Sequence, residues 1–184
     1  TQGGIKPGDT VLIQGTGGVS MFALQIALMS GARVIQTSSS DDKLQKVRDL
    51  GAHETINYRT TPNWAKEVKT LTAKRGVDFV VEVGGAGTLG QSLRAVRIGG
   101  TVCVIGVLSG GSQELSVIPI LMQNSRVQGV IVGHRESFES MVRAFEHHQI
   151  HPIVSHTFEG LDQTKAAFEI MQAAGHFGKI VVTI

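Results

Sequence analysis

Val11-Leu12-Ile13-Gln14-Gly15-Thr16-Gly17-Gly18-Val19-Ser20-Met21-Phe22-Ala23-Leu24 (residues 11–24) passes without a charge from a β-type apolar run, through three glycines, into a segment apolar on nearly every side. The turn signal Lys6-Pro7-Gly8-Asp9 launches the run. Val19 to Ser30 continues as a helix that Gly31 stops, with Val19, Met21, Phe22, Leu24, Ile26, Ala27, Leu28 and Met29 spread around its circumference. A helix apolar all round is buried on more than one side. The uncharged stretch reaches Ala32, long enough for a hydropathy window to read it as a membrane span. Its glycines, Gln14, Thr16, Ser20 and Gln25, and the β-type run in front of them, favour a buried strand, turn and helix instead, so no membrane association is expected.

Outward from this unit, strands and helices alternate. Arg33 to Thr37 is a β-branched run, and Leu44, Val47 and Leu50 mark a helix ended by Gly51. His53 to Asn57 reads as a strand. Thr61 before Pro62 reads as an N-cap with proline at the first helical position, followed by the stripe Trp64, Val68, Leu71. Val77 to Val83 is a strand, followed by a helix marked by Leu89, Leu93 and Val96 that Gly99-Gly100 stops. Thr101 to Ile105 is the fifth strand, Val117 to Gln123 a short helix around Pro119, and Val127 to Val132 the sixth strand. Phe138, Met141, Val142 and Phe145 mark a further helix at i, i+3, i+4, i+7. Such alternation implies parallel strands joined by right-handed crossovers. The expected fold is therefore α/β: a Rossmann domain over 1–150, a doubly wound six-stranded parallel sheet ordered 3-2-1-4-5-6 with helices on both faces. From His151 the pattern changes to a strand Ile153 to Phe158, a helix Leu161 to Ala174 and a strand Lys179 to Ile184, so 151–184 is set apart as a C-terminal segment.

Composition narrows the function. The 23 glycines among 184 residues are nearly twice the roughly 7% of average usage, and they need a reason. Lys plus Arg number 17 against 15 Asp plus Glu, a net +2 too small to suggest a nucleic-acid footprint. Cys103 is alone, which fits a reducing cytoplasm. No basic segment leads into an apolar run at Thr1-Gln2-Gly3-Gly4, which matches a cytoplasmic reading.

Gly15-Thr16-Gly17-Gly18-Val19-Ser20 stands where a dinucleotide fingerprint belongs, between the first strand and its helix. Gly15 suits the tight turn, Gly17 lets backbone approach a pyrophosphate, and Ser20 takes the third, small position. The helix N-terminus offers free N–H groups and a positive dipole end to phosphates. A glycine turn needed only for packing, or the glycine loop of a methyltransferase, are the competing readings. An NAD site places Asp or Glu at the end of the second strand; here Val34-Ile35-Gln36-Thr37 runs into Ser38-Ser39-Ser40. Hydroxyls can donate to a 2′-phosphate, and Lys43 adds a point charge, so NADP(H) is expected in preference to NAD(H). On the other reading Ser40 caps the next helix, Lys43 is solvated, and Asp41 or Asp42 reaches the ribose.

Several segments together resemble the medium-chain dehydrogenase superfamily of zinc-type alcohol dehydrogenases and quinone oxidoreductases: residues 6–20, Gly-Ala-Arg-Val-Ile (31–35), Ser-Ser-Asp-Asp-Lys-Leu (39–44), Leu-Gly-Ala-His (50–53), Ile-Asn-Tyr-Arg (56–59), Gly-Val-Asp-Phe-Val-Val-Glu-Val-Gly-Gly (76–85) and Gly-Lys-Ile-Val (178–181). The resemblance implies a nicotinamide-dependent oxidoreductase. It implies that Lys43 and Tyr58 contact the 2′-phosphate, and that Val83, Gly84, Gly85, Ile105, Gly106 and Val107 line the nicotinamide side. Gly15, Thr16, Gly17, Gly18 and Val19, with Ser38 and Ser39, complete the expected cofactor set, and Gly133 joins it at the end of the sixth strand. The loop wording is closer to alcohol-dehydrogenase-like members; a zinc-free NADPH quinone or enoyl reductase, and a non-catalytic NADPH-binding module, are the alternatives. Family members carry a further catalytic domain holding the substrate pocket and any zinc. The 184 residues alone are thus expected to bind cofactor without turning over alcohol or aldehyde, with residues 151–184 packing on that other domain. The resemblance also suggests a homodimer through Val127 to Val132, an unpaired apolar edge.

Other residues carry less. His147, His148 and His151 near a helix end suit the helix dipole better than a metal. Cys103 sits mid-strand as a small hydrophobe, and Glu82 reads as a structural contact to a helix. No catalytic side chain and no metal ligand is assigned.

Overall fold

The computed structural model describes residues 4–112 and 114–184. Its first strand, β1 (Thr10–Gln14), is buried throughout, and its side chains divide between the two faces of the sheet. Leu12 packs into one apolar cluster, Val11 and Ile13 into another. A parallel strand covered on both faces needs just such an unbroken apolar run. β1 pairs in parallel with β2 (Arg33–Ser38) on one side and β4 (Val77–Glu82) on the other. Addition of β3 (Glu54–Asn57), β5 (Val96–Val104) and β6 (Arg126–Gly129) gives the order β3-β2-β1-β4-β5-β6, all parallel, as the alternation predicts.

Helices α1 (Gly18–Met29) and α2 (Asp41–Asp49) cover the Val11 face through Met21, Leu24, Ala27 and Val47. Helices α3 (Trp64–Leu71) and α4 (Ala86–Ala95) cover the Leu12 face through Trp64, Val68 and Leu93. Strand order reverses between β1 and β4, which opens a crevice at the carboxyl ends of the strands. The chain continues through α5 (Ile118–Met122) and α6 (Arg135–His148), whose buried Phe145 stacks on Phe22 of α1 at 5.9 Å. His147 and His148 fall in the last turn of α6, where the dipole favours them. β7 (Val154–Glu159), a 3-10 turn (Leu161–Gln163), α7 (Thr164–Gln172) and β8 (Lys179–Thr183) then form a separate two-stranded parallel sheet. No helix among the described residues is long and apolar enough to cross a membrane.

Tertiary contacts move three of the expected boundaries. Helix α3 starts at Trp64 after Asn63, not at Pro62 after Thr61. The Gln91 side chain of α4 does the capping, accepting from the Ala65 N–H (3.1 Å) and donating to the Pro62 carbonyl (2.9 Å). Val96 leaves the helix and opens β5 opposite Val77, so Gly99-Gly100 do not stop a helix. They lie in an irregular stretch before pairing resumes at Thr101 with Phe79. Gly99 has φ +71°, and a Cβ on Gly100 would stand 2.6 Å from Val96 and 3.0 Å from the Asp78 carbonyl. β6 ends at Gly129. The Val130 N–H still donates to the Val104 carbonyl (2.9 Å), but Ile131 and Val132 lie beyond the strand and are exposed.

Candidate cofactor site

Gly15, at φ +71°, turns the chain out of β1 in a conformation that disfavours other residues. Its N–H donates to the Thr37 carbonyl (2.9 Å), and its carbonyl accepts from Gln36 Nε2 (2.8 Å), which ties the loop to β2. Ser20, buried, donates its hydroxyl to the Gln14 carbonyl (2.6 Å). At this third fingerprint position a hydrogen bond joins helix to strand where glycine would do so by close packing. Gly17 is the N-cap of α1 and offers no side chain, so the first N–H groups of the helix lack a side-chain acceptor.

A groove of about 740 Å³ opens over this loop. Gly15, Thr16, Gly17, Gly18, Val19, Ser38, Ser39, Lys43, Tyr58, Val83, Ile105 and Gly106 of the expected set line it, together with Ser20. Gly84 lines an adjoining cavity of about 470 Å³ that shares Gly15, Tyr58, Val83 and Leu108 with the first. Gly85 and Val107 line neither cavity. Gly85 has φ +83° and lies tight against the turn after β5, where its Cβ would come within 2.8 Å of Val107 Cα and the Gly110 carbonyl, and the Val107 side chain is exposed. Gly133 also lines neither: the sheet has ended at Gly129, and the nearest atom to a Cβ there would be that of Ser137 at 3.7 Å.

At the tip of β2 no carboxylate lines the groove. The Ser40 side chain caps α2, accepting from the Lys43 N–H (3.4 Å), and Ser38 Oγ accepts from the Ser40 N–H (3.3 Å). Asp41 is engaged outside, accepting from Asn57 Nδ2 (2.8 Å). Lys43 is not merely solvated: its ammonium donates to the carbonyls of Ala174 (2.8 Å) and His176 (2.9 Å). Burial, followed by the neighbouring Lys46 charge, lowers its pKa from the ordinary lysine value.

Those carbonyls belong to a wall that the sequence did not disclose. Met171 and Gln172 at the end of α7, with Ala174 and His176 in the loop before β8, line the groove together with the glycine loop. The Gly178 N–H donates to the Thr16 carbonyl (3.0 Å), Phe177 is buried in the α1 face of the core, and the Lys179 side chain lies over Gly18. Burial, then the charges of Lys43, His156 and Lys179, lowers the pKa of His176, whose Nδ1 is shielded from water without a partner. No spacing rule links residues so far apart in the chain. The segment 151–184 therefore packs against the cofactor domain through this loop, while residues on β7 and β8 such as Val154 and Val181 remain exposed.

Below the switch point lies a buried polar cluster. The Glu82 carboxylate, fully buried at the end of β4, accepts from the N–H groups of Gly84 and Gly85 (both 2.9 Å), from the Thr88 and Ser92 hydroxyls of α4, and from Gln14 Nε2 (2.7 Å). Gln14 Nε2 also donates to Ser92 Oγ (2.8 Å), and its Oε1 accepts from the N–H groups of Val83 (3.2 Å) and Gly84 (3.3 Å). Glu82 is thus a contact to α4, as expected. Cys103 is half-buried in β5, and burial pushes its thiol pKa up.

An uncapped helix N-terminus, a loop of glycines bare of Cβ atoms and a groove crossing the switch point suit an extended diphosphate with bases at either end. A Cβ on Gly17 would project into this space, 3.9 Å from His176 Nε2. Fold and groove together define a dinucleotide-binding domain. A family model described as zinc-binding dehydrogenase matches residues 18–147. The chain is 44% identical over 184 residues to a zinc-type alcohol dehydrogenase-like protein of Schizosaccharomyces pombe, covering 98% of this chain and 53% of that relative. Among solved structures, an NAD-dependent alcohol dehydrogenase superposes with TM-score 0.90 at 33% identity, covering 98% of this chain and 52% of that one. The 2-octenoyl-CoA carboxylase reductase CinF, in complex with NADP and 2-octenoyl-CoA, gives TM-score 0.87 at 28% identity over 96% of this chain and 44% of that one. The chain belongs to the zinc-binding dehydrogenase family, in the medium-chain dehydrogenase superfamily, and is its cofactor-binding domain. It spans about half the length of the curated relatives it matches. Among the described residues no three His, Cys, Asp or Glu side chains converge to hold a metal ion, so the zinc of the family name finds no ligand set here.

Proposed function

We propose that the chain holds NADP(H), in preference to NAD(H), for hydride transfer to or from an alcohol or carbonyl substrate presented by a further domain of a zinc-type alcohol dehydrogenase-like enzyme. The observation that carries the cofactor choice is the tip of β2: it ends in Ser38-Ser39-Ser40, and no Asp or Glu lines the groove. A carboxylate there would accept from a ribose 2′-hydroxyl and repel a 2′-phosphate. Asp41 is occupied by Asn57, while the Lys43 ammonium and the Tyr58 side chain stand at the same edge. Lys43 has three N–H donors, two of them used. The nicotinamide supplies or accepts the hydride when bound. This chain's residues bind and orient it: the α1 N-terminus and the glycine loop take the diphosphate, and Val83, Gly84, Ile105 and Gly106 form the far wall. Isothermal titration is expected to give NADPH about tenfold tighter binding than NADH, roughly 1.4 kcal/mol. Tighter binding of NADH would sink the NADP(H) reading.

The exposed edge strand β6, with Ile131 and Val132 beyond it, supports a homodimer formed by pairing of this edge with a second copy. Light scattering is expected to return twice the chain mass; a monomer alone would end this reading. A lone cysteine accords with a reducing cytoplasm.

A further inference from the structure

Glu82 is a buried carboxylate without a cationic partner among its hydrogen bonds, and it does not line the groove. Such a group is costly to bury, and five donors are needed to hold it. Those donors come from three places. Gln14 ends β1, Gly84 and Gly85 form the turn after β4, and Thr88 and Ser92 lie on the first turns of α4, whose N-terminal dipole also favours the negative charge. The pair Glu82 and Gln14 therefore joins the carboxyl ends of β1 and β4, the paired neighbours between which the strand order reverses. Together they supply acceptors for the backbone N–H groups of Val83, Gly84 and Gly85. This turn is also closed from the other side. A Cβ on Gly106 would stand 2.6 Å from the Val83 carbonyl, and Gly84 has no room for one against Thr88.

We propose that Glu82 is a positioning residue for the nicotinamide end of the cofactor, acting with Gln14 as a clamp that fixes the turn Val83–Gly85, of which Val83 lines the groove and Gly84 the adjoining cavity. The proposal rests on the reading of the groove as a nicotinamide dinucleotide site. Every hydrogen-bonding atom of the clamp has an assigned sense. Glu82 is acceptor on both oxygens, whereas Gln14 is donor toward Glu82 and Ser92 and acceptor toward Val83 and Gly84. Glu82→Gln places two NH2 groups face to face, and turning over the Gln14 amide to relieve this leaves the Val83 N–H without its acceptor. Exchanging the two groups, Gln14→Glu with Glu82→Gln, restores a complete set. The carboxylate then at position 14 accepts from the amide nitrogen at position 82, from Ser92 Oγ and from the N–H groups of Val83 and Gly84. The amide oxygen at position 82 keeps Gly84, Gly85 and Thr88.

Titration of the 184-residue chain with NADPH and with 2′,5′-ADP, which lacks the nicotinamide half, tests this. Glu82→Gln is expected to weaken NADPH about tenfold and leave 2′,5′-ADP within about twofold, and the exchanged pair to return NADPH to within about threefold of the wild type. Equal loss of both ligands would mean general destabilisation and overturn the proposal, as would unchanged NADPH binding or an exchanged pair that folds without recovering it. Should Glu82→Gln not fold, Ser92→Ala decides: it removes one donor from the clamp and is expected to weaken NADPH alone, about threefold, and no selective loss overturns the proposal. A wild-type chain that binds neither ligand would instead refute the cofactor reading itself.

Discussion

Asp78→Ala is expected to remove about 1–3 kcal/mol of stability, the cost of leaving a buried donor, here the Thr10 N–H, without its acceptor. The Asp78 side chain is 1% exposed, in β4 next to β1. Its carboxylate accepts from both terminal nitrogens of Arg75 (2.8 and 2.7 Å), from Arg97 Nε (2.5 Å) and from the Thr10 N–H (2.8 Å). Alanine leaves the buried Thr10 amide and two guanidinium groups without their acceptor at once, at the site where the irregular start of β5 folds back on β4. Burial by itself pushes the Asp78 pKa up. The hydrogen bonds from Arg75, from Thr10 and from Arg97 outweigh it and hold the carboxyl well below the usual carboxylate range. The sign follows: a carboxyl with a lowered folded pKa contributes stability above its unfolded value, near 3.9, and loses that contribution as pH falls toward the folded value. Denaturant melts are therefore expected to show the full deficit of the variant at pH 7 and a narrowing one below about pH 4. A deficit under about 1 kcal/mol at neutral pH would show that the cluster is screened rather than structural.

Gly17→Asp is expected to weaken cofactor binding by more than about 100-fold, roughly 2.7 kcal/mol, while leaving the fold as stable as before. Gly17 has ordinary extended backbone and room for a side chain, so aspartate meets no strain. As the N-cap of α1 it would improve on glycine by a few tenths of a kcal/mol, because its carboxylate accepts from the first free N–H groups of the helix. Those same N–H groups are the ones a diphosphate needs, and the new charge stands where the phosphates would lie. Calorimetry should show an unchanged or slightly raised melting temperature beside titrations without NADPH binding. Retained binding would move the phosphate site away from the α1 N-terminus.

Much of this could be read along the chain, since its signals are local. The apolar run at Val11 to Ile13, the glycines at 15, 17 and 18 and the helix after them, apolar on nearly every side, specify a strand, turn and helix through backbone freedom and burial alone, and their repetition specifies the parallel sheet. Neighbouring residues also disclosed that β2 ends in hydroxyls. What required tertiary structure was every feature whose partner lies far away in sequence. Gln91 replaces a local cap on α3, Val96 leaves its helix to pair with Val77, and Gly133 falls away from the groove because β6 stops early. Lys43, read as free to meet a phosphate or water, spends two hydrogen bonds on the loop before β8. Glu82 and Gln14 each look ordinary within their strands. They become one unit only because β1 and β4 are neighbours in the sheet, where burial leaves their polar atoms no partners but each other and the ends of the same strands and helix.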